Sequence, residues 1–266
     1  MSILQKIIEQ KRLEVAQQKA RQPLRQLADE LAAQGVISHL SFAQALTQSR
    51  SGIIAEFKRK SPSKGWIHPD APLARVVNGY QQAGAAAISV LTDETFFGGS
   101  LADFREARQT LHIPLLRKDF IVDEYQVFQS ALMGADVILL IAAALSLDEV
   151  QRFGQLAHQL GMETLLEIHC EAELDHAQLR DAVDVVGVNN RDLATFTTDT
   201  NRSAELAPKI AHAVKISESG IAHPQTVKTL RQLGFRGFLM GENFMKTERP
   251  EATLEAFIQS VETLCG

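Results

Sequence analysis

Short apolar runs rich in β-branched residues recur eight times along the second part of the chain. They lie at 52–58, 86–92, 113–120, 136–142, 163–169, 184–190, 213–219 and 235–241. Between several of these runs, apolar residues at helical spacing lead to a glycine, as from Leu73 to Gly84 and from Val227 to Gly234. A glycine just past a helix supplies the left-handed residue that ends it. The pattern therefore predicts parallel strands joined by helical crossovers.

The number of these units predicts an α/β protein with a (β/α)8 TIM barrel over residues 51–266. A doubly wound open sheet is the competing architecture, and a Gly-x-Gly-x-x-Gly motif after the first strand would favour it. That motif does not occur there. We therefore expect a single domain, 1–266, that is built on the barrel.

Residues 1–50 follow a helical pattern instead. Apolar stripes run through 3–34 with a break at Pro23, and Gly35 ends this region. Ser41 is a typical cap for a short helix that reaches Leu46. The sequence thus predicts an N-terminal helical extension, and we expect it to cap one mouth of the barrel.

Composition narrows the function classes. The chain has 266 residues, 45% of them hydrophobic, and a formal net charge of -5. This charge argues against a nucleic-acid-binding surface over the whole protein but allows a local basic pocket for an anionic small molecule. No segment approaches the roughly 18–20 apolar residues of a membrane span, and the amino terminus lacks the apolar stretch of a signal peptide. We therefore expect a cytoplasmic protein.

The cysteines and histidines predict no metal site. Cys170 and Cys265 are far apart and lack metal-ligand spacing, so a disulfide framework is not expected either. The histidines follow no ligand spacing, and we interpret four of them as surface or packing groups: His112, His158, His176 and His212.

Polar residues stand at the carboxyl ends of five predicted strands. Glu56 and Lys58 end the first, Lys118 the third, Glu167 the fifth, Asn189 the sixth and Ser217 to Ser219 the seventh. In a barrel these ends form the mouth where active sites are built. A single charge at a strand end is more often a solvated loop residue. Several together would shift one another's pKa, as acid and base partners do, so we predict a catalytic cluster.

Two further groups of residues predict a binding site at the same mouth. The last two strands run into Ser219-Gly220 and Gly241-Glu242, whose backbone N–H groups could hold a phosphate, although such glycines also serve tight turns. Apolar side chains beside the strand ends are core residues by default, yet together they could form a slot for an aromatic ring. These are Pro62, Phe97, Phe120, Leu139 and Leu193. For Arg59 and Lys60, a solvated loop and the attraction of an anionic ligand are equally good interpretations.

The motifs, taken in order, resemble the indole-3-glycerol phosphate synthases of tryptophan biosynthesis. The similar segments are ILQKIIEQKRLEV, IIAEFKRKSPSKG, VLTDETFFGGSL, LLRKDFIVDEYQ, LLEIH, VGVNNRDL, ISESGI and LMGENFM, which cover nearly the whole chain. The resemblance implies the stand-alone synthase and not a fusion with phosphoribosylanthranilate isomerase. It also implies a substrate, 1-(2-carboxyphenylamino)-1-deoxyribulose 5-phosphate, that loses CO2 and water on ring closure. No cofactor or metal is implied.

The resemblance assigns roles to the catalytic residues. Lys118 matches the general acid of ring closure, and Glu167 matches the base of dehydration. Lys58 matches a residue that contacts the anionic groups of the substrate and could supply the acid for dehydration. Glu56 is expected to hold either Lys58 or Lys118, and Asn189 completes the catalytic set.

The resemblance also assigns the binding residues. Arg191, with Asn189, is expected to bind the sugar hydroxyls and the carboxylate region. The phosphate and hydroxyl positions fall on Ser61, Ser219, Gly220, Gly241 and Glu242, and the apolar residues named above would enclose the anthranilate ring. Some family members have serine where this chain has Glu242, so we carry over only its backbone N–H.

Two alternatives of other classes stay open at this point. Lys58 or Lys118 could be the nucleophile of a Schiff-base aldolase that acts on a sugar phosphate. The chain could also be a non-catalytic phosphosugar-binding barrel. In each case the partner is a small molecule, with no nucleic acid and no membrane. The sequence does not give the oligomeric state, although we favour a monomer.

Overall fold

Eight parallel strands form a closed barrel in the computed structural model, which describes residues 2–35, 39–192, 195–211 and 213–265. The predictions for Leu193 and His212 therefore lie outside the described residues. Each strand pairs with its sequence neighbours, and strand 1 closes the barrel by pairing with strand 8 through Ile54 and Leu239. Strands 1 to 8 are Ile53–Phe57, Ala87–Leu91, Leu115–Lys118, Val137–Ile141, Glu163–Ile168, Val185–Asn189, Val214–Glu218 and Phe235–Met240. The predicted strands and the predicted fold class are confirmed.

The described helices cover the outside of the barrel and both its ends. They are α1 Ile3–Arg21, α2 Leu24–Gln34, α3 Phe42–Gln48, α4 Leu73–Gln82, α5 Leu101–Thr110, α6 Glu124–Leu132, α7 Leu147–Gln159, α8 Leu174–Ala177, α9 Asn201–Leu206, α10 Pro224–Gln232, α11 Glu242–Met245 and α12 Pro250–Cys265. After strand 1 the chain also forms a short hairpin, Lys60–Ser61 with Gly65–Trp66. Gly84 and Gly234, after α4 and α10, have φ of 91° and 89°, as the glycine pattern predicts.

Side chains alternate between two cores along the strands. One core contains Ile53 and Phe57 and lies against the outer helices. The other contains Ile54, Leu116 and Leu165, which fill the interior of the barrel. Because alternate residues of a strand share a face, the residues two positions further along each strand also point inward, toward the upper mouth. Strand geometry therefore positions the polar strand ends.

Helices α1 and α3 lie at opposite ends of the barrel, while α2 packs against α6 through Leu27 and Tyr125. The expectation that the N-terminal helices together cap one mouth is therefore wrong, because only α1 does so. The side chain of Ser41 caps α3 by accepting from Gln44 N. Glu163, at the amino end of strand 5, accepts from Ala43 N at 2.8 Å and holds α3 at the lower end. Leu46 of α3 is part of the interior core. Helix α1 instead reaches the upper mouth, where the candidate site lies.

No helix in the described ranges combines the length and the apolar character that a membrane crossing requires.

Candidate active site

A cavity of about 510 Å³ opens at the carboxyl ends of the strands. This volume is in the usual range for small-molecule sites. The residues predicted for the site that line it are Glu56, Lys58, Pro62, Phe97, Lys118, Phe120, Leu139, Glu167, Asn189, Arg191, Ser219, Gly220, Gly241 and Glu242. The barrel thus brings together side chains from residues as far apart in the sequence as Glu56 and Glu242.

Lys118 is the centre of a buried charge cluster. Its Nζ lies 3.0 Å from Glu167 Oε2 and 2.6 Å from Glu218 Oε2. Both carboxylates are buried, at 4% and 1% exposure, so their interaction with the ammonium is weakly screened. Three strands, 3, 5 and 7, each supply one member of this cluster.

The neighbours of the cluster set its protonation. Burial alone would lower the pKa of Lys118, but the carboxylates of Glu218 and Glu167 raise it above its usual range. Burial raises the pKa of Glu218 to about 7, against the pull of Lys118. Burial would also raise the pKa of Glu167, but Lys118 and His169 together hold it below its usual range. The cluster therefore presents an ammonium beside an ionised carboxylate, which are the forms that an acid and a base need.

Glu218 is a site residue that the sequence analysis missed. Ile216 belongs to the interior core, so the alternation that places Glu56 inward after Ile54 also places Glu218 inward. That rule, applied to strand 7, would have found it. A Cβ at Gly187 of the neighbouring strand would clash with Glu218 Oε1, so the glycine leaves the space that this carboxylate occupies.

Glu56 and Lys58 form an ion pair at the end of strand 1. Lys58 Nζ lies 2.5 Å from Glu56 Oε1, and Glu56 is 3% exposed. The sequence left open whether Glu56 holds Lys58 or Lys118, and the direct contact is with Lys58. A Cβ at Gly241 would lie 2.7 Å from the same Glu56 oxygen, so this glycine makes room for the pair.

The ends of strands 7 and 8 form a polar edge of the cavity. Ser219 and Gly220 have consecutive positive φ values of 67° and 76°. A serine in this region is strained, and such strain is common where backbone faces a ligand. Lysine and arginine side chains line the same cavity, among them Lys64, Arg191 and Lys246. These cations provide the charge that an anionic group requires.

Asn189 and Arg191 are tied to this edge through the loop after strand 6. Asn189 Oδ1 accepts a hydrogen bond from Arg191 N at 3.0 Å. The guanidinium donates to Ser63 Oγ at 3.1 Å, and its Nη2 lies 3.5 Å from Glu242 Oε2. Arg191 therefore connects the loops after strands 1, 6 and 8.

Aromatic and aliphatic side chains form the opposite wall. The ring centroids of Phe97 and Phe120 are 5.8 Å apart, with an angle of 38° between the rings. Helix α1 adds apolar residues to the lining that the sequence analysis did not assign to the site, namely Ile3, Leu4 and Ile7. Their helical stripe predicts burial, but only the docking of α1 shows what they face.

Some predicted residues lie elsewhere. Ser61 is 2% exposed and does not line the cavity, whereas its neighbour Ser63 does. Arg59 pairs with Asp103 at 2.7 Å, and Lys60 donates to the carbonyl oxygen of Thr95 at 2.9 Å. Both cations are thus engaged in contacts outside the cavity lining.

Of the histidines that were predicted to be surface or packing groups, His112 is exposed, and two others contact a carboxylate or a backbone carbonyl oxygen. His158 Nε2 lies 2.8 Å from Asp184 Oδ2, and His176 Nε2 lies 3.1 Å from the carbonyl oxygen of Leu145. Within the described ranges, no group of three or more His, Cys, Asp or Glu side chains could hold a metal ion.

The closed parallel barrel, with an acid–base cluster at the carboxyl ends of its strands, defines the class as a (β/α)8-barrel enzyme that acts on a small molecule. The family model described as "Indole-3-glycerol phosphate synthase" matches residues 4–257. The chain therefore belongs to the indole-3-glycerol phosphate synthase family, whose members are carboxy-lyases.

Curated relatives of high similarity carry the same name. The chain is 50% identical over 261 residues to indole-3-glycerol phosphate synthase of Bacteroides thetaiotaomicron, covering 98% of this chain and 99% of the relative. It is 44% identical to the synthase of Laribacter hongkongensis, covering 95% of this chain and 97% of the relative.

Solved structures of low sequence identity share the fold. The crystal structure of KGPDC from Streptococcus mutans matches with a TM-score of 0.63 at 12% identity, covering 80% of this chain and 98% of that one. Tryptophan synthase subunit alpha from Legionella pneumophila matches with a TM-score of 0.61 at 12% identity, covering 84% and 97%. At this identity the likeness shows the barrel fold alone.

Proposed function

We propose that the cavity at the barrel mouth is the place where this chain carries out the reaction of its family. In that reaction, 1-(2-carboxyphenylamino)-1-deoxyribulose 5-phosphate is converted to indole-3-glycerol phosphate, CO2 and water in tryptophan biosynthesis. The observation that carries the proposal is the contact of Lys118 with Glu167 at 3.0 Å, inside a cavity with an aromatic wall and a cationic edge.

Lys118 acts as the general acid of ring closure. The ring carbon that bears the carboxylate attacks the ribulose carbonyl carbon, and the carbonyl oxygen takes a proton from the Lys118 ammonium. The bond to the carboxylate then breaks, CO2 leaves, and the electron pair of that bond restores the aromatic ring. The raised pKa of Lys118 keeps the amine protonated in the resting site, so it holds a proton that it can donate as the oxygen becomes basic.

Glu167 acts as the base of dehydration. It removes a proton from the carbon next to the new hydroxyl, which leaves as water with a proton from Lys58 or Lys118. The lowered pKa of Glu167 keeps it ionised and able to accept this proton. Its contact with Lys118 also provides a direct route by which the proton can return to the acid.

The proton count closes with one proton from solvent. The lysines donate two protons in each turnover, and Glu167 recovers one. The other proton is taken up from solvent. Its positive charge balances the reaction, because the negatively charged carboxylate leaves as neutral CO2.

The other residues of the cavity bind the two ends of the substrate. The phosphate is placed at the backbone N–H groups of Ser219, Gly220 and Gly241, with the cations of the same edge around it. Glu242 contributes its backbone N–H and not its carboxylate, which lies toward Arg191 and Lys64. The anthranilate ring is placed against the aromatic wall, and Asn189 with Arg191 binds between the two ends.

Incubation of the purified protein with the substrate tests this proposal. We expect indole fluorescence to appear together with one CO2 per indole formed. Borohydride added during turnover is expected to leave the lysines unmodified, because Lys118 is held as an ammonium and not as a nucleophilic amine. A trapped substrate adduct on Lys58 or Lys118, or the absence of indole, would contradict the proposal.

The organisation and location of the protein are also proposals. We infer one domain over 1–266, active as a monomer in the cytoplasm. The free cysteines, Cys170 and Cys265, support a reducing compartment. Size-exclusion chromatography with light scattering tests the monomer, and fractionation of cells tests the compartment.

A further inference from the structure

Helix α1 is joined to the barrel by a buried lysine that the mechanism above does not use. Lys11 is 4% exposed. Its Nζ lies 3.0 Å from Asp93 Oδ2, 3.0 Å from Asp119 Oδ1 and 2.9 Å from Glu14 Oε2. Burial alone would lower the pKa of Lys11, but the two aspartates, with Glu14, raise it above its usual range. The lysine is therefore a permanent cation between the chain segments after strands 2 and 3.

Each aspartate also holds the backbone of the aromatic wall. Asp93 Oδ1 accepts hydrogen bonds from Phe96 N at 2.8 Å and from Phe97 N at 3.2 Å. Asp119 Oδ1 accepts from Phe120 N at 2.8 Å. Lys11 thus contacts both carboxylates that fix the two facing phenylalanines, Phe97 and Phe120.

Lys11 also shares a helical face with apolar residues of the site. Ile7 is four residues before it and Leu4 seven residues before it, and both line the cavity. Residues at this spacing lie on one side of a helix. One ammonium therefore fixes the position of α1 over the cavity and the position of the two rings beneath it.

We propose that Lys11 is a positioning residue for the aromatic end of the substrate, because it joins α1 to the two aspartates that hold Phe97 and Phe120. This inference rests on the proposed function, since it takes the aromatic wall as the place of the anthranilate ring. Lys11 acts through its neighbours and does not line the cavity itself. Its loss should therefore weaken binding of the ring without removing an acid or a base.

The test compares two variants with a matched control on the same helix. Lys11→Met leaves Asp93 buried without its cation, so this variant could fail to fold. The double variant Lys11→Met/Asp93→Asn removes one charge of each sign, and the introduced amide keeps an oxygen for the backbone N–H groups. The control is Lys19→Met, because Lys19 also joins α1 to the barrel, through Asp123 at 2.9 Å, but is not linked to the phenylalanines.

In the folded double variant we expect KM for the substrate to rise roughly tenfold while kcat changes by less than about threefold. The dissociation constant of anthranilate, used as a probe of the ring site, should rise by a similar factor. That of inorganic phosphate should stay within about twofold, because the phosphate edge is untouched. Lys19→Met should leave these constants near their wild-type values.

Two results would overturn the inference. One is a folded double variant with wild-type KM and wild-type anthranilate affinity. The other is an equal weakening of anthranilate and phosphate, which would show a general structural effect. Failure of the proposed function is distinguishable from both, because it would appear in the wild-type protein as absent turnover.

Discussion

Two lysines of this barrel lie among carboxylates, and their surroundings differ. Buried Lys11 forms a first cluster with Asp93, Asp119 and Arg117, and half-buried Lys118 forms a second cluster with Glu167 and Glu218. Asp93 and Asp119, beside Lys11, accept hydrogen bonds from backbone N–H groups, and Lys11 with Arg117 holds the pKa of Asp119 below its usual range. Lys118 faces an open cavity between Glu167 and Glu218.

In the second cluster Lys118 contacts two carboxylates whose pKa values differ. Burial raises the pKa of Glu218 to about 7, whereas Lys118 and His169 hold that of Glu167 below its usual range despite its burial. A cluster whose carboxylates hold backbone N–H groups fixes structure, whereas a cluster whose groups titrate differently can exchange protons. Substitutions in the two clusters should accordingly separate stability from turnover.

The largest expected effect is on stability, at Arg117 of the first cluster. Arg117 is 2% exposed and donates to Asp119, Gln129 and Ser130. Arg117→Met leaves these acceptors buried without their donor, so we expect the free energy of unfolding to fall by about 3–5 kcal/mol. Denaturant unfolding measures this. Exposed Arg105, changed to Met, is the control, and a loss below about 1 kcal/mol at Arg117 would remove the distinction between the clusters.

Lys118→Ala tests the second cluster. We expect kcat to fall by at least about 10²-fold, the lower end for loss of a general acid, while the protein stays folded. Steady-state kinetics with circular dichroism as the folding check measures both. Lys209→Ala, an exposed lysine outside the cavity lining, is the control. Near-normal turnover of Lys118→Ala would exclude its role as the acid.

Glu167→Gln should divide the reaction into its two halves. Without the base, dehydration is expected to slow by about 10²-fold while ring closure and CO2 release continue. Single-turnover experiments that record CO2 and indole fluorescence separately would show CO2 before the indole. The control is Glu163→Gln, at the other end of the same strand, which should leave the rate of each step at its wild-type value. If Glu167→Gln slows both steps equally, its assignment as the dehydration base is wrong.

The smallest predicted effect is a pH dependence of stability at His169, which borders the second cluster. Its Nε2 lies 3.3 Å from Glu167 Oε1, and its Nδ1 lies 3.6 Å from Glu173 Oε2, although neither nitrogen is aligned for a hydrogen bond. Burial alone would lower the pKa of His169, but these carboxylates raise it to about 9. A raised pKa means that the folded state holds the proton more tightly than the unfolded chain does.

The stabilisation from His169 should therefore be complete below about pH 6.5 and be lost as the pH rises toward about 9. We expect a loss on the order of 1–3 kcal/mol over this window. Unfolding by denaturant at several pH values measures this loss. His169→Asn is expected to flatten the pH dependence of the free energy of unfolding, and the control His223→Asn is expected to retain it. An unchanged slope in His169→Asn would contradict the assignment of this titration.

The sequence predicted the elements well because each of them is encoded locally. The eight apolar runs became the eight strands, and Gly84 and Gly234 end their helices in the left-handed conformation. The sequence predicted that Glu56, Lys118 and Glu167 would line one cavity, and they do. This was possible because the alternation of side chains along a strand and the common direction of the strands can both be inferred from the pattern. Glu218 was available to the same rule but was hidden between Ser217 and Ser219.

Other features could not be predicted from sequence because they depend on how distant elements dock. Ser63, and not Ser61, lines the cavity because the hairpin after strand 1 buries Ser61. Nothing in the spacing of Lys11 indicates that it contacts Asp93 and Asp119, which are more than 80 residues away in the sequence.

The sequence by itself determined the alternation of strands and helices, the strand ends that carry charge and the family. Alternation and glycine stops act over a few residues, so they need no knowledge of the rest of the chain. Only the tertiary structure decided which lysine meets which carboxylate: Lys118 with Glu218, Lys58 with Glu56, and Lys11 with both aspartates. These pairings arise when barrel closure and the docking of α1 bring distant charges within about 3 Å, where burial makes their interaction strong.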